Sequence, residues 1–433
     1  MEFKHKLETF ESGLGLVTIP MAVPSVTALV MVKVGSRYEK QPVNGISHFL
    51  EHMVFKGTEK YPTARDLSSV VDSVGGEFNA FTGKEYTGFY VKAGSAHTDL
   101  AVEVLGQMLF KPRLMAEEME REKGVIIEEI NMYEDQPIRD IANVFDTLLY
   151  SPASLGWEII GTKETIRGMK REDFVKHMGE WYLPENMMVG LAGDRQKIGS
   201  LKQETADLIE KYFNQGQKAK VKSQGREWEK FKQDRPEVKL KTKKTEQAHF
   251  ILGVRGLARK HKDRYVMAVL SILLGGNMSS RLFIEVRERR GLAYYVKSGL
   301  GVYHGAGHFG VQAGVELGKI DQAIKVIVAE LNKVKQSGKG GMTEAEVKRT
   351  KEYVKGRLLL DLEDSKEVAG QYVESWLLED QLETPEEVVA GVEKVTLADV
   401  KRLAGELFVK QHLNLAVIGP YKDQGRFEKL LIL

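Results

Sequence analysis

Cysteine is absent from this 433-residue chain. That excludes a disulfide scaffold, a thiol nucleophile and every metal site ligated by Cys. Any metal must be held by His, Asp or Glu, and the absence fits a reducing compartment. An excess of either charge is also lacking. The 63 Lys and Arg against 61 Asp and Glu leave a formal net charge of +2, which makes no electrostatic case for nucleic acid or an acidic membrane surface as partner. Long apolar runs are missing too. The most apolar early stretch, Leu14 to Val34, is interrupted by Pro20 and Pro24 and is rich in Val and Thr, which suits strands. Met1 to Lys6 carries Glu2 beside Lys4 and Lys6 and no unbroken apolar run follows, so no secretory signal is expected. No glycine-rich phosphate loop is present. Gly275-Gly-Asn-Met-Ser-Ser280 lacks the Lys of a Walker loop and the spacing of a dinucleotide fingerprint, and reads as a helix end and turn. The expectation is an unexported, cytoplasmic protein that engages neither nucleic acid nor membrane.

What is present is a hydrophobic share of 42%, enough to build real cores and, at this length, two large domains. The chain also repeats itself once. Asn186 to Gly193 and Asn414 to Gly419 are short buried-strand patterns ending in Gly, each preceded by an amphipathic helix with an acid near its start, Asp173 and Asp399. The offsets agree: Asn186 to Asn414 is 228 residues, Asp173 to Asp399 is 226, and Gly193 to Gly419 is 226. The starts correspond as well. Leu29 to Gly35 followed by a helical segment at Gly45 to Phe55 is matched by Phe250 to Val254 followed by Tyr265 to Leu274. A repeat this long means two homologous domains rather than a solenoid. The expected division is residues 1–215, a polar and basic linker at 216–236, and residues 237–433.

In the first half, helices are expected over Asn44 to Phe55, Thr63 to Val74, Thr98 to Met108 and Ala116 to Tyr133. Strands are expected around Val17, Leu29, Tyr86 to Lys92 and the Asn186 run. Thr63 with Asp66 three residues on has the form of a capping box. Hairpin-like strand spacing and grouped helices point to an α+β fold, each domain an antiparallel-rich sheet with helices packed on it.

The chemistry concentrates in Gly45-Ile-Ser-His48-Phe-Leu-Glu51-His52-Met-Val-Phe-Lys-Gly57. Asn44 is placed to cap the start of this helix and Gly57 its end. Residues four apart share a helix face, so His48 and His52 can reach one metal ion, and Glu51 lies on the same side. His-x-x-Glu-His is the reverse of the zincin motif and marks the inverted zinc peptidases. A buried pair of core histidines is the plainer alternative. A third protein ligand would favour metal, since catalytic zinc usually takes three. The helix Met115 to Tyr133 offers several carboxylates, and helical phase separates them. Met119, Glu122, Ile126, Glu129, Ile130 and Tyr133 fall on one stripe, whereas Glu128 points away. Acids on an apolar face are costly unless paired or metal-bound, so Glu129 is the expected ligand and Glu122 its support.

With these residues in place, the chain resembles the M16 metallopeptidases, the family of pitrilysin, insulin-degrading enzyme and mitochondrial processing peptidase. His48, Glu51 and His52, followed by Glu129, match the family's two His, base and distant Glu, and Glu122 falls where the family places a supporting glutamate. Gly76-Glu-Phe78-Asn79-Ala80-Phe81-Thr82 resembles the family's edge strand, which pairs with substrate backbone. Ser280 to Tyr294 resembles its Arg/Tyr substrate motif, with Arg287 and Tyr294 at the matching positions. The resemblance covers almost the whole chain and is closest to the short two-domain subfamily, whose chains pair into a closed chamber. It implies one zinc per chain, unfolded peptide substrates, Glu51 as general base and a homodimer, with a heterodimer with a related chain left open. It implies no zinc in the second domain, where Tyr265 to Leu274 is apolar at the ligand positions. It also leaves two other readings: a non-catalytic core subunit like those of respiratory complexes, and a protease dedicated to maturing one peptide. The intact His48, Glu51, His52 and Glu129 favour the enzyme.

Overall fold

The computed structural model describes residues 4–199, 201, 203–214 and 228–432. The chain forms two compact units, neither continuous in sequence. The first takes residues 1–131, 157–226 and 358–386, and the second takes 132–156, 227–357 and 387–433. Most of the linker expected at 216–236 lies outside the described residues.

In the first unit β1 (Lys6–Thr9), β2 (Gly15–Met21), β3 (Ser25–Val32), β4 (Glu77–Thr82), β5 (Thr87–Gly94) and β6 (Met187–Asp194) form one sheet in the order β1-β2-β6-β3-β5-β4. In the second, β7 (Glu237–Thr242), β8 (Gln247–Arg255), β9 (Ala293–Tyr303), β10 (Ala306–Glu316) and β11 (Asn414–Gly419) run β7-β11-β8-β10-β9. Without β1 the two orders are the same. Each contains one parallel pair, β2 with β6 and β7 with β11, among antiparallel ones. The helices Arg171–Trp181 and Leu397–Leu407 that precede β6 and β11 keep the 226-residue offset. In both, an aspartate accepts from the backbone three residues earlier: Asp173 from Lys170 and Asp399 from Thr396. The expected α+β duplication is therefore present in topology as well as in sequence.

Each sheet is covered on one face by helices of its own half, such as α3 (Thr98–Phe110) on β3 and β5. The other face is covered by a helix from the opposite half. On the first sheet, Tyr372, Val373 and Leu377 of the helix Ser365–Glu379 pack on Val17, Leu29 and Met188. On the second, Ile141, Phe145 and Leu149 of α5 (Pro137–Tyr150) pack on Ile251, Ala416 and Ile418. The strands are apolar on both faces for this reason: β3 is buried along nearly all its length.

Candidate metal centre

The His-bearing helix α1 runs Ile46–Met53, shorter at both ends than expected. Ile46, Phe49, Leu50 and Met53 make the buried stripe of a 3.6-residue period, and Phe49 meets Phe174 edge to face at 4.9 Å between ring centres. His48, Glu51 and His52 are left on the opposite side, only partly buried.

The capping differs from the sequence reading. Asn44 is not the cap. Gly45 occupies that position with φ +97° and, having no side chain, caps nothing. The carboxylate of Glu39 replaces it, accepting from the N–H groups of Gly45 at 2.7 Å and Ser47 at 2.9 Å, while Asn44 Nδ2 donates to it at 2.9 Å. A negative group here also complements the helix dipole. Burial raises the Glu39 carboxyl pKa in spite of those bonds. At the other end, Gly57 lies beyond the helix, with φ +117°.

Helix α4 (Ala116–Glu134) brings its carboxylates to this surface. The Nε2 atoms of His48 and His52 lie 3.7 and 3.6 Å from Glu129 Oε2, and the two rings are 4.7 Å apart. Donors held about 2 Å from a tetrahedral zinc stand roughly 3.3 Å from one another, so this set fits such an ion with little adjustment. Burial, and next the neighbouring His52, lower the His48 pKa to about 3, which leaves its imidazole neutral and able to donate a lone pair. His52 Nδ1 is 2.8 Å from Glu122 Oε1. With a proton on Nδ1, Nε2 is the free donor. Glu122 also binds Lys56 at 2.6 Å. Burial alone would raise the Glu122 pKa, but the bonds from His52 and Lys56 outweigh it and the net shift is downward. His48 Nδ1 has no partner among the described residues. Glu128 is exposed and, among the described residues, meets only Asn131, at 3.4 Å, as helical phase anticipated.

Glu51 stands beside this group. Its pKa is raised, first by burial and then by Glu129, against a hydrogen bond from the Thr82 hydroxyl and the charge of His52. Thr82 is the last residue of β4, which pairs with β5 alone and so ends the sheet. Along β4, Phe78, Ala80 and Thr82 alternate with exposed Glu77, Asn79 and Phe81, and Phe78 packs on Phe55 at 5.2 Å. The Tyr182 hydroxyl is buried without a partner among the described residues, and burial followed by the Glu51 charge raises its pKa.

In the second unit, Arg287 lies in a π-helical turn, Phe283–Glu288, and Tyr294 is the second residue of β9, which begins just after Gly291, whose φ is +55°. The Arg287 guanidinium sits 5.8 Å from the Tyr294 ring centre, and Tyr294 is 76% exposed. The two lie together and both are exposed, so Tyr294 is not a core residue. Sequence reading missed Glu39, Lys56, Tyr182 and the Thr82 hydroxyl. Lys56 lies four residues beyond His52, after the end of α1, and like the others it has no helical phase to reveal it.

Behind α1, His177 is buried with Nε2 3.5 Å from Ser47 Oγ, and burial lowers its pKa to about 4. The unfolded chain binds this proton near pH 6.5 and the folded chain only near 4. Stability is thus unaffected above 6.5, falls as pH drops from 6.5 to 4, and levels off below. The maximum loss is about 3 kcal/mol. Denaturant unfolding of wild type and His177→Phe across this range should show a shallower pH slope in the variant; equal slopes would refute it.

Residues 18–162 match the family model described as Insulinase (Peptidase family M16), and residues 168–354 match the model described as Peptidase M16 inactive domain. A Bacillus subtilis protein, the uncharacterized zinc protease YmxG, is 36% identical over 398 residues, covering 92% of this chain and 94% of that protein. The crystal structure of a Helicobacter pylori protease superposes with a TM-score of 0.89 at 27% identity, covering 97% of this chain and all of that one. A chain of complex III from Candida albicans shares the fold at a TM-score of 0.80 and 17% identity, covering 99% of this chain and 100% of its own.

Proposed function

The chain belongs to peptidase family M16, and from that premise we propose that it is a zinc-dependent endopeptidase that hydrolyses unfolded peptides held as an added strand on β4. The observation that carries the reading is the convergence of His48 Nε2, His52 Nε2 and Glu129 Oε2 beside a partly buried Glu51 that is bonded to Thr82 at the end of an edge strand. When bound, zinc supplies a Lewis acid that makes water more acidic and polarises a carbonyl. His48, His52 and Glu129 hold it, and Glu122 keeps His52 Nε2 free to do so. Glu51 takes a proton from the attacking water and returns one to the leaving amine. The Thr82 hydroxyl steadies the Glu51 carboxylate. The outer edge of β4 along Phe78, Asn79, Ala80 and Phe81, the side not paired with β5, takes the substrate main chain, which gives affinity with weak sequence preference.

Arg287 supplies a fork of donors for a peptide carbonyl and Tyr294 a hydroxyl for developing negative charge. The resemblance to the short-chain subfamily supports a homodimeric chamber in the cytoplasm. In it the Arg287 and Tyr294 of one chain serve the zinc site of its partner. No helix among the described residues is long and apolar enough to cross a membrane.

Metal content, native mass and peptide-library turnover on one purified sample test this reading. About one zinc per chain, a dimeric mass and cleavage of flexible peptides but not of a stable folded protein are expected. Full zinc loading with no turnover would instead favour a non-catalytic core subunit. Turnover confined to one peptide would favour a dedicated maturation protease. Mixing inactive Glu51→Gln with inactive Tyr294→Phe chains should restore part of the activity if sites are shared across the dimer. No recovery despite demonstrated subunit exchange would overturn the shared site.

A further inference from the structure

Beneath the turn that joins β4 to β5 lies a charged pair with no direct contact to the metal ligands. Arg37 and Glu85 are 0% and 1% exposed, with Arg37 Nη1 2.7 Å from Glu85 Oε1. A fully buried ion pair is a poor source of net stability, because desolvating both charges offsets most of their attraction. An apolar pair of similar volume usually stabilises as well or better. What such a pair does impose is one arrangement of the segments that carry it.

Those segments are informative. Arg37 lies in the stretch leading to α1, two residues before Glu39, which caps that helix. Glu85 lies in the turn that follows Thr82. The same two segments are joined by main-chain bonds from Ser36 N–H to Gly83 O at 3.3 Å and from Arg37 N–H to Lys84 O at 2.9 Å. The Thr87 hydroxyl adds a bond to Val34 O at 2.8 Å, and Lys84 Nζ donates to the Trp157 carbonyl. Gly83 N–H closes the turn on Tyr86 O at 2.8 Å. Backbone approaches backbone so closely that a Cβ on Gly35 would stand 2.2 Å from Gly83 O. A side chain there would force the turn to shift, although φ is −162° and ordinary. The last strand residue before this turn is Thr82, whose hydroxyl binds Glu51.

We propose that the buried Arg37–Glu85 pair is a positioning device: it locks the β4–β5 turn against the approach to α1 and so fixes the Thr82 hydroxyl on the Glu51 carboxylate. The chain of contacts is Glu85 to Arg37 across the two segments, then Thr82 to Glu51 across the helix and edge strand. A general base displaced by a fraction of an ångström loses rate without losing the fold. The pair acts on the chemical step through Thr82 and touches neither metal nor peptide. The proposal rests on Glu51 being the base.

The test uses the full-length zinc-loaded chain and a fluorogenic peptide. Single substitution of either partner would strand a buried charge, so both are replaced: Arg37→Met with Glu85→Leu. The expected result is unchanged zinc content and KM with kcat lowered about tenfold or more. Thr82→Val should lower kcat comparably, and the triple variant should be no slower than Thr82→Val alone. Unchanged kcat in the double variant, or a triple-variant loss equal to the product of the two, would overturn the proposal. Should the double variant fail to fold, Gly35→Ala displaces the same turn from the other side. Its kcat loss should likewise vanish in the Thr82→Val background, and an additive loss would overturn the proposal. Full activity of Glu51→Gln would instead overturn the base assignment, so the two failures are distinguishable.

Discussion

A purified Glu51→Gln chain is expected to keep its zinc and to lose peptide cleavage by at least about 10²–10⁴-fold. The amide has the shape of the carboxylate and its oxygen can still accept from Thr82, the hydrogen-bond partner that Glu51 has in the structure. The apolar stripe of α1 and the Glu39 cap do not involve Glu51, so the helix and both histidines stay in place. What is removed is the ability to take up a proton. A carboxylate raised by burial and by the nearby Glu129 is better matched to that task than an exposed one, since an effective base titrates closer to the working pH. Metal content measured beside turnover separates the outcomes. Full activity would remove Glu51 from the mechanism, and loss of metal together with activity would assign it a structural role instead.

Glu129→Gln is expected to weaken zinc retention severely, whereas Glu128→Gln leaves it at the wild-type level. The two are adjacent, and the difference is one of helical phase: about 100° of rotation turns Glu129 toward the Nε2 atoms of His48 and His52, 3.7 and 3.6 Å away, and Glu128 to solvent. Glu122→Gln should fall between them. It removes the charge that orients His52 and not a donor to the ion, a change that typically costs roughly 10–100-fold in affinity. Competition with a chelator of known affinity ranks the three. Equal weakening in Glu128→Gln and Glu129→Gln, or weakening in Glu128→Gln alone, would contradict the ligand assignment.

Much of the centre was legible because its spacings are local. His48 and His52 are brought to one side by the helix itself, and Glu122 and Glu129 by two turns of another. A 3.6-residue period settles these directions before any tertiary contact forms. The duplication was legible for a related reason. The 226-residue offset records two copies of one arrangement of strands and helices, and the strand orders agree with it.

Other features depend on which segments meet, and no local period encodes that. The cap on α1 comes from Glu39 rather than Asn44, because the side chain that reaches Gly45 N–H and Ser47 N–H belongs to the incoming turn. The partner of Glu51 is 31 residues away on an edge strand, and Arg37 finds Glu85 across 48 residues. The exchange of α5 and the helix Ser365–Glu379 between the two sheets could not be read from two sequence-continuous halves, since an amphipathic helix declares that it has an apolar face but not which sheet will cover it. By itself, then, the sequence determined which side chains share a helix face and that the fold occurs twice. Only the tertiary structure decided which buried charges pair and which sheet each helix covers. Those choices depend on desolvation and close packing between segments that are brought together only on folding.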